Sequence, residues 1–305
     1  MSSIPVIHQS AGKGAAKAAA KRRRKSEAGG LNRRPGWVTY LILGVTVLLA
    51  IFPIYYTAVL GSSDQQSISR NPMPQWFPDL TLFDKFAEII NSTSINFWKG
   101  ALNSLIIAVV VSISVVLFST MAGFSFSKLN FRGRGPLLVF VIATMAVPTQ
   151  LGVIPMYILA TQFGWVGSIQ AVIIPALVTA FGVFWMTQYI GEALPYELVE
   201  AARVDGASVF RTFRSIVLPA ARPAASMLAL FTFVAQWTNF FWPSIVLNQS
   251  NPTLPIVIRS LQATYFVDYS LLLAGVFLVT LPLIVVFAFT GKQLVAGIMQ
   301  GAVKG

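Results

Sequence analysis

The sequence predicts an all-α integral membrane protein with six transmembrane helices and both termini in the cytoplasm. Three observations carry that reading. The 305-residue chain is 55% hydrophobic and only 10% charged, with a mean hydropathy of +0.71, whereas soluble domains average roughly 25% charge. Its apolar residues fall into six runs, each long enough as a helix to cross a ~30 Å hydrocarbon core. All ten acidic residues lie outside those runs, so no span carries a formal negative charge into lipid.

In chain order the runs are 37–60, 100–124, 136–160, 168–188, 223–247 and 270–290. Pro53, Pro148, Pro155, Pro175, Pro243 and Pro282 fall within them and predict kinks, because proline withholds an N–H from the helical ladder. Residues 1–36 form a polar basic tail, containing Lys21, Arg22, Arg23, Arg24 and Lys25, that reads as disordered. It fits a topology anchor touching anionic lipid headgroups, and no nucleic-acid partner is expected. The first apolar run starts late and has full span length, unlike a cleaved signal peptide.

Basic residues orient the spans. One side holds the tail, Lys128, Arg132, Arg134, Arg203, Arg211, Arg214, Arg222, Lys292 and Lys304. The other holds only Arg70, Lys85, Lys99 and Arg259, of 22 Lys and Arg in the chain. The basic side is assigned to the cytoplasm, so the loops 61–99, 161–167 and 248–269 are external. The six-span body is then 37–290, with a cytoplasmic loop at 189–222 and a cytoplasmic tail at 291–305.

Several function classes drop out. Charge-free spans argue against a proton- or sodium-coupled carrier built on intramembrane carboxylates. No GxxxxGK[ST] phosphate loop is present, so the chain supplies no ATP site. With no cysteine, and with His8 as the only histidine, it offers no thiolate nucleophile, no histidine catalysis and no metal centre. It is not expected to be an enzyme or to bind a cofactor.

The loop 189–222 is the most organised polar segment. Leu194-Pro195 marks a helix start, Glu197 and Glu200 sit near its positive end, and Asp205-Gly206 stops it. Ser208 can cap a second short helix running to about Val217. Ala201, Ala202, Gly206 and Ala207 are small enough to let another protein approach the backbone, and Glu200, Arg203, Asp205 and Arg211 can set register by charge pairing. An amphipathic helix lying on headgroups is the alternative. The external loop 248–269 has a turn at Asn251-Pro252 followed by an apolar-aromatic stretch. It reads either as a re-entrant helix packed on the bundle or as a partner contact.

Inside the spans, uncharged polar groups can hydrogen-bond a hydroxylated solute and aromatic faces can stack on it. Gln236, Trp237, Thr238, Asn239 and Trp242 are the first candidates, with Thr144 and Gln150 behind them. The same groups can instead tie helix to helix.

The residues Glu200-Ala201-Ala202, Gly206, Ile216, Leu218 and Pro219 reproduce a spaced pattern that resembles the EAA signature of permease subunits in binding-protein-dependent ABC importers. Stretches such as AGFSFSKLNFRGRG at 122–135, MAVPTQLGVIPMY at 145–157 and VAGIMQGAVKG at 295–305 make the chain similar to the carbohydrate branch, in particular its maltose-type second permease. The resemblance covers about residue 37 to the end. The family usually writes Trp-Asn, then an acidic residue and Phe, where this chain has Trp237-Thr238-Asn239-Phe240.

The resemblance implies a bacterial inner-membrane subunit paired with a homologous second permease, two cytoplasmic ATPase subunits holding ATP and magnesium, and an extracytoplasmic sugar-binding protein. It also implies that Glu200, Ala201, Ala202 and Gly206 lie in a coupling helix, between spans four and five, docked on an ATPase subunit. Gly301, Ala302, Val303, Lys304 and Gly305 become a second ATPase contact, and Asn251, Thr253, Leu254, Gln262 and Tyr265 a contact with the binding protein. The solute itself stays open between a sugar and another solute such as a polyol, glycerol phosphate or peptide. A non-transporting scaffold is the remaining alternative.

Overall fold

In lipid every backbone N–H and C=O must be satisfied within its own segment, so the apolar runs fold as helices. The computed structural model describes residues 36–71, 75–93, 95–262 and 267–302, and the side chains as far as residue 291. The tail through residue 35, Tyr265, Val303, Lys304 and Gly305 lie outside the described residues.

The chain divides into two units, 1–55 and 56–305. In the first, a helix that begins at Trp37 is apolar on all sides, and its side chains are exposed as far as Tyr55. This helix ends at Ser62, within the second unit.

The second unit is built around the long helix Phe97–Lys128. Helices Ala180–Ala193 and Leu218–Trp237 pack along it. One apolar cluster joins Ile107, Val111 and Val115 to Met186, Ile190, Val217 and Leu228. A second joins Ile89, Ala108, Trp237, Val257 and Ala274. Small residues set the closest approaches. A Cβ on Gly123 would lie 2.7 Å from the backbone carbon of Met186, and one on Gly61 would lie 2.8 Å from Ala274 N. Either substitution would push two helices apart.

Among the described residues five helices are long and apolar enough to cross a membrane: Trp37–Ser62, Phe97–Lys128, Gln170–Ala193, Val209–Val246 and Tyr269–Gly291. The run 136–160 is bent more sharply than the kink expected at Pro148 and Pro155. It forms Arg134–Thr144 and Thr149–Gln162, bent by 91°, and gives the sixth span only if that pair counts as one. The break falls at Pro148, whose backbone is extended at ψ 126°. Proline both withholds its N–H and disfavours helix in the residue before it.

Three other expectations shift. The fourth span contains a break at 177–179, where Ser114 Oγ donates to the freed Leu177 carbonyl at 3.0 Å and Thr179 caps the next helix. The short helix starting at Val209 does not stop near Val217. It runs into the fifth span through a wide π turn at Phe213–Val217. Pro219 has no N–H for the Ser215 carbonyl and would crowd it, so a widened turn lets the chain continue. The last helix is also longer than the span predicted, running Tyr269–Ala302. It therefore takes up most of the segment read as a tail, including the backbone of Gly301 and Ala302.

The loop 61–99 is more ordered than its composition suggests. It holds helices Gln65–Arg70 and Thr81–Asn91. Lys85 Nζ donates to the carbonyls of Gly61 and Ser63 at 3.0 and 2.6 Å and to Ser270 Oγ. One ammonium thus caps the end of the first long helix and ties it to the start of the last.

Candidate functional site

At the basic end of the bundle the chain turns a corner whose backbone is set by local rules. Leu194 and Pro195 are extended, and the helix Tyr196–Val204 starts directly after them, with Glu197 in its first turn and Arg203 in its last. Gly206 N–H then donates to Arg203 O at 3.0 Å and Ala207 N–H to Ala202 O at 2.9 Å. This paired closure needs a left-handed residue between them, and Gly206 has φ 76°. A Cβ there would meet nothing within 4 Å, so the backbone alone demands the glycine. Ser208 Oγ accepts from Arg211 N at 3.3 Å and starts the next helix.

The corner has two faces. Val199 and Ala202 are buried, with Val199 in one cluster with Phe213 and Val217. Ala202, at 6% exposed, turns its small side chain inward, away from the face that Ala201 and Gly206 leave open. Glu200, Ala201, Arg203, Asp205, Gly206 and Arg211 are exposed, and Ala207 is half-buried. Val204, Val209 and Phe210 are also exposed, at 87%, 53% and 67%. These three were missed in the sequence reading. Their signal was available as apolar residues on either side of a glycine within a polar loop, the composition of a docking core with a charged rim.

The opposite end is held by contacts distant in sequence. Asn103 Nδ2 donates to Asn251 Oδ1 at 2.8 Å and to the Pro252 carbonyl at 2.7 Å, and Ser104 Oγ accepts from Leu254 N at 2.8 Å. Asn251 Nδ2 reaches the Gly167 carbonyl at 2.9 Å. Thr253 and Leu254 are buried, because these bonds draw the loop onto the second span. Of the described loop residues named from sequence, the exposed one is Gln262. Asn103 and Ser104 open the second span and anchor the loop, a role their position in the sequence does not reveal.

The solute-path candidates separate by hydrogen bonding. Trp237 is buried with its indole N–H on the Val279 carbonyl at 3.0 Å, and Trp242 donates to the Ala171 carbonyl at 2.9 Å. Thr238 and Thr144 bond to Val234 and Val141 of their own helices. The two indoles thus tie helix to helix, whereas Thr238 and Thr144 are exposed. Gln236 and Asn239 pair weakly with each other at 3.5 Å, and Gln150 is exposed at the bend of the third span. The helix stops between Trp237 and Phe241, and beside the break lies a cavity of about 510 Å³ lined by Phe240, Pro255, Ile258, Arg259 and Gln262. The Arg259 guanidinium lies 5.6 Å from the Phe240 ring centroid. Phe240 and Arg259 are not among the solute-path candidates read from the sequence.

Residues 116–293 match the family described as binding-protein-dependent transport system inner membrane component. An arabinooligosaccharides transport system permease protein of Halalkalibacterium halodurans is 30% identical over 271 residues, covering 88% of this chain and 96% of that protein. An sn-glycerol-3-phosphate transport system permease protein of Rhizobium meliloti is 25% identical, covering 88% and 99%. Among solved structures, a bacterial ABC transporter that imports the acidic polysaccharide alginate has a chain superposing with a TM-score of 0.70 at 20% identity. The match covers 84% of this chain and 95% of that one, and shows a common fold. The chain accordingly belongs to the inner membrane components of binding-protein-dependent transport systems, as a multi-pass permease subunit of an ABC importer in the bacterial inner membrane.

Proposed function

We propose that this chain is one of two paired permeases through which a mono- or oligosaccharide, delivered by an extracytoplasmic binding protein, enters the cytoplasm. Within the carbohydrate branch it takes the place of the maltose-type second permease. The basic end faces the cytoplasm, and ATP hydrolysis resides in two partner ATPase subunits. The helix Tyr196–Val204 and the Gly206 corner dock in a cleft of one of them. The residues 301–305 supply a second contact, and the outer loop 248–269 meets the binding protein.

The observation that carries this reading is the two-faced corner. Its inner face is fixed on the bundle through Val199 and Phe213, while its outer face presents Val204, Val209 and Phe210 within a rim of Glu200, Arg203, Asp205 and Arg211. Apolar side chains so exposed need a partner, and a rigid knob passes the partner's motion into the helices attached to it. The absence of charged residues from the interior of the spans supports a neutral solute, and the arabinooligosaccharide relative supports a sugar. The glycerol-3-phosphate relative favours a second reading, a polyol phosphate carried by the same mechanism, with Arg259 beside the solute.

Mass spectrometry of what co-purifies with a tagged copy, extracted mildly from its native membrane, tests the assembly. Recovery of a second permease and a Walker-motif ATPase is the expected result. The chain coming down alone would favour a scaffold. Uptake of labelled arabino-oligosaccharides and of glycerol-3-phosphate, in cells with and without the chain, separates the two solute classes.

A further inference from the structure

The coupling segment is gripped on both sides by a single element, the basic end of the second span. On the side where the chain enters the corner, Lys128 is 6% exposed and its Nζ donates to the Gly191 carbonyl at 3.0 Å. Gly191 lies in the last turn of the helix Ala180–Ala193, where carbonyls lack helical partners and the helix dipole is negative. Glu197, in the first turn of the corner helix, is the acidic group whose charge reaches Lys128. On the side where the chain leaves, Phe124 packs on Phe213 with ring centroids 6.1 Å apart, and both are buried. Phe213 opens the π turn that carries the corner into the fifth span.

On the membrane side of these two points the second and fourth spans are in near-backbone contact. Gly123 lies against Met186, and a Cβ on Gly182 would lie 2.4 Å from Ser119 Oγ. The buried lysine stem and the aromatic pair thus close the lower end of a helix pair that cannot slide without separating.

We infer that Lys128 and Phe124 form a two-point clasp, with Lys128 the positioning residue that makes the coupling corner and the second span move as one body. This rests on the proposed docking of the corner on an ATPase subunit. Without the clasp, a push on the corner is absorbed by rotation about Leu194-Pro195 before it reaches the bundle. Docking itself does not depend on Lys128, because the docking face lies on the other side of the helix.

The absence of cysteine from the chain permits a direct test. A Cβ on Gly191 would lie 4.0 Å from Ser127 Cβ, within disulfide range. The complex, purified through a tag on this chain and reconstituted, is compared as wild type, Lys128→Met, Lys128→Arg, and Lys128→Met combined with Ser127→Cys and Gly191→Cys. Lys128→Met keeps its ATPase partner and hydrolyses ATP, but solute moved per ATP falls about tenfold, the scale of one charge-assisted hydrogen bond. Lys128→Arg restores most of it. In the cysteine variant, coupling is low when reduced and recovers when the disulfide forms. Unchanged coupling in Lys128→Met overturns the clasp, as does loss of the ATPase partner from that variant or failure of the disulfide to restore coupling. Gly206→Arg, run alongside, keeps the tests apart: if it too retains partner and transport, the docking reading fails and not merely the clasp.

Discussion

The corner at residues 194–211 and the loop at 246–262 are connections of similar length at opposite ends of the bundle, built in opposite ways. The corner is closed by hydrogen bonds spanning no more than five residues, such as Ala207 to Ala202, and its outward side chains are left unused. The far loop is closed by Asn103 and Ser104 across 148 to 150 residues, and side chains along it are consumed in holding it. A connection that sets its own backbone is free to present a surface, whereas one that borrows its shape from the bundle presents only what remains. The corner is suited to transmit force, and the far loop to move with the helices it is tied to.

The contrast breaks most completely at Gly206. Replacing it with Arg places a Cβ at a positive φ and a charged chain across the docking face, and recovery of the ATPase partner should fall by at least about tenfold. Gly206→Asn should retain most recovery, because Asn tolerates the left-handed conformation. Equal losses in both variants would mean that only backbone strain matters.

Asn103→Leu tests the other end. It removes two hydrogen bonds and leaves the Asn251 and Pro252 oxygens short of a donor, a cost of about 2 kcal/mol. Thermal unfolding should drop by a few degrees while ATPase recovery stays at the wild-type level. A joint loss of recovery would show that the two ends are not separable.

Val204→Ser with Phe210→Ser sharpens the corner further. Both positions are exposed, so unfolding should be unchanged while partner affinity weakens by about 1–2 kcal/mol, measured by titrating ATPase subunits onto the stripped permease.

The smallest effect concerns Lys85. Burial lowers its pKa below the ordinary 10.5, against the opposing charges of Asp268, Asp64 and Glu88. Between its folded value and 10.5 the unfolded chain holds the extra proton, so stability should rise with pH across that window and fall as pH drops through the folded value. Lys85→Met should flatten that slope in pH-dependent melting, while Gly206→Asn leaves it in place.

The legible parts of the molecule are those where neighbouring residues decide the structure. Apolar run length marked the crossing helices, and Asp205-Gly206 and Ser208 marked the corner with its stop and restart. Pro148 predicted a kink but not a 91° turn, since the angle depends on what the two halves pack against. Pro219 and Pro223 gave no hint that the chain would pass them in one helix, because a widened turn leaves no mark in composition. Trp237 and Trp242 looked equally suited to a sugar and to a helix contact. Their indole partners, Val279 and Ala171, are 42 and 71 residues away and carry no side-chain signal. The inward turn of Ala202 followed from helical phase, but only once Val199 was known to be buried.

Docking at the corner is tested most directly by placing a single cysteine at Ala201, exposed beside Ala202 in a chain that otherwise has none. A short thiol cross-linker is then applied in native membranes, with a matched cysteine at Gln249 on the far loop as control. Docking predicts a covalent adduct between position 201 and an ATPase subunit, its yield changing with ATP, and no such adduct from position 249. If position 201 labels freely with a soluble thiol reagent but never joins an ATPase subunit, with or without ATP, the corner is not the coupling surface.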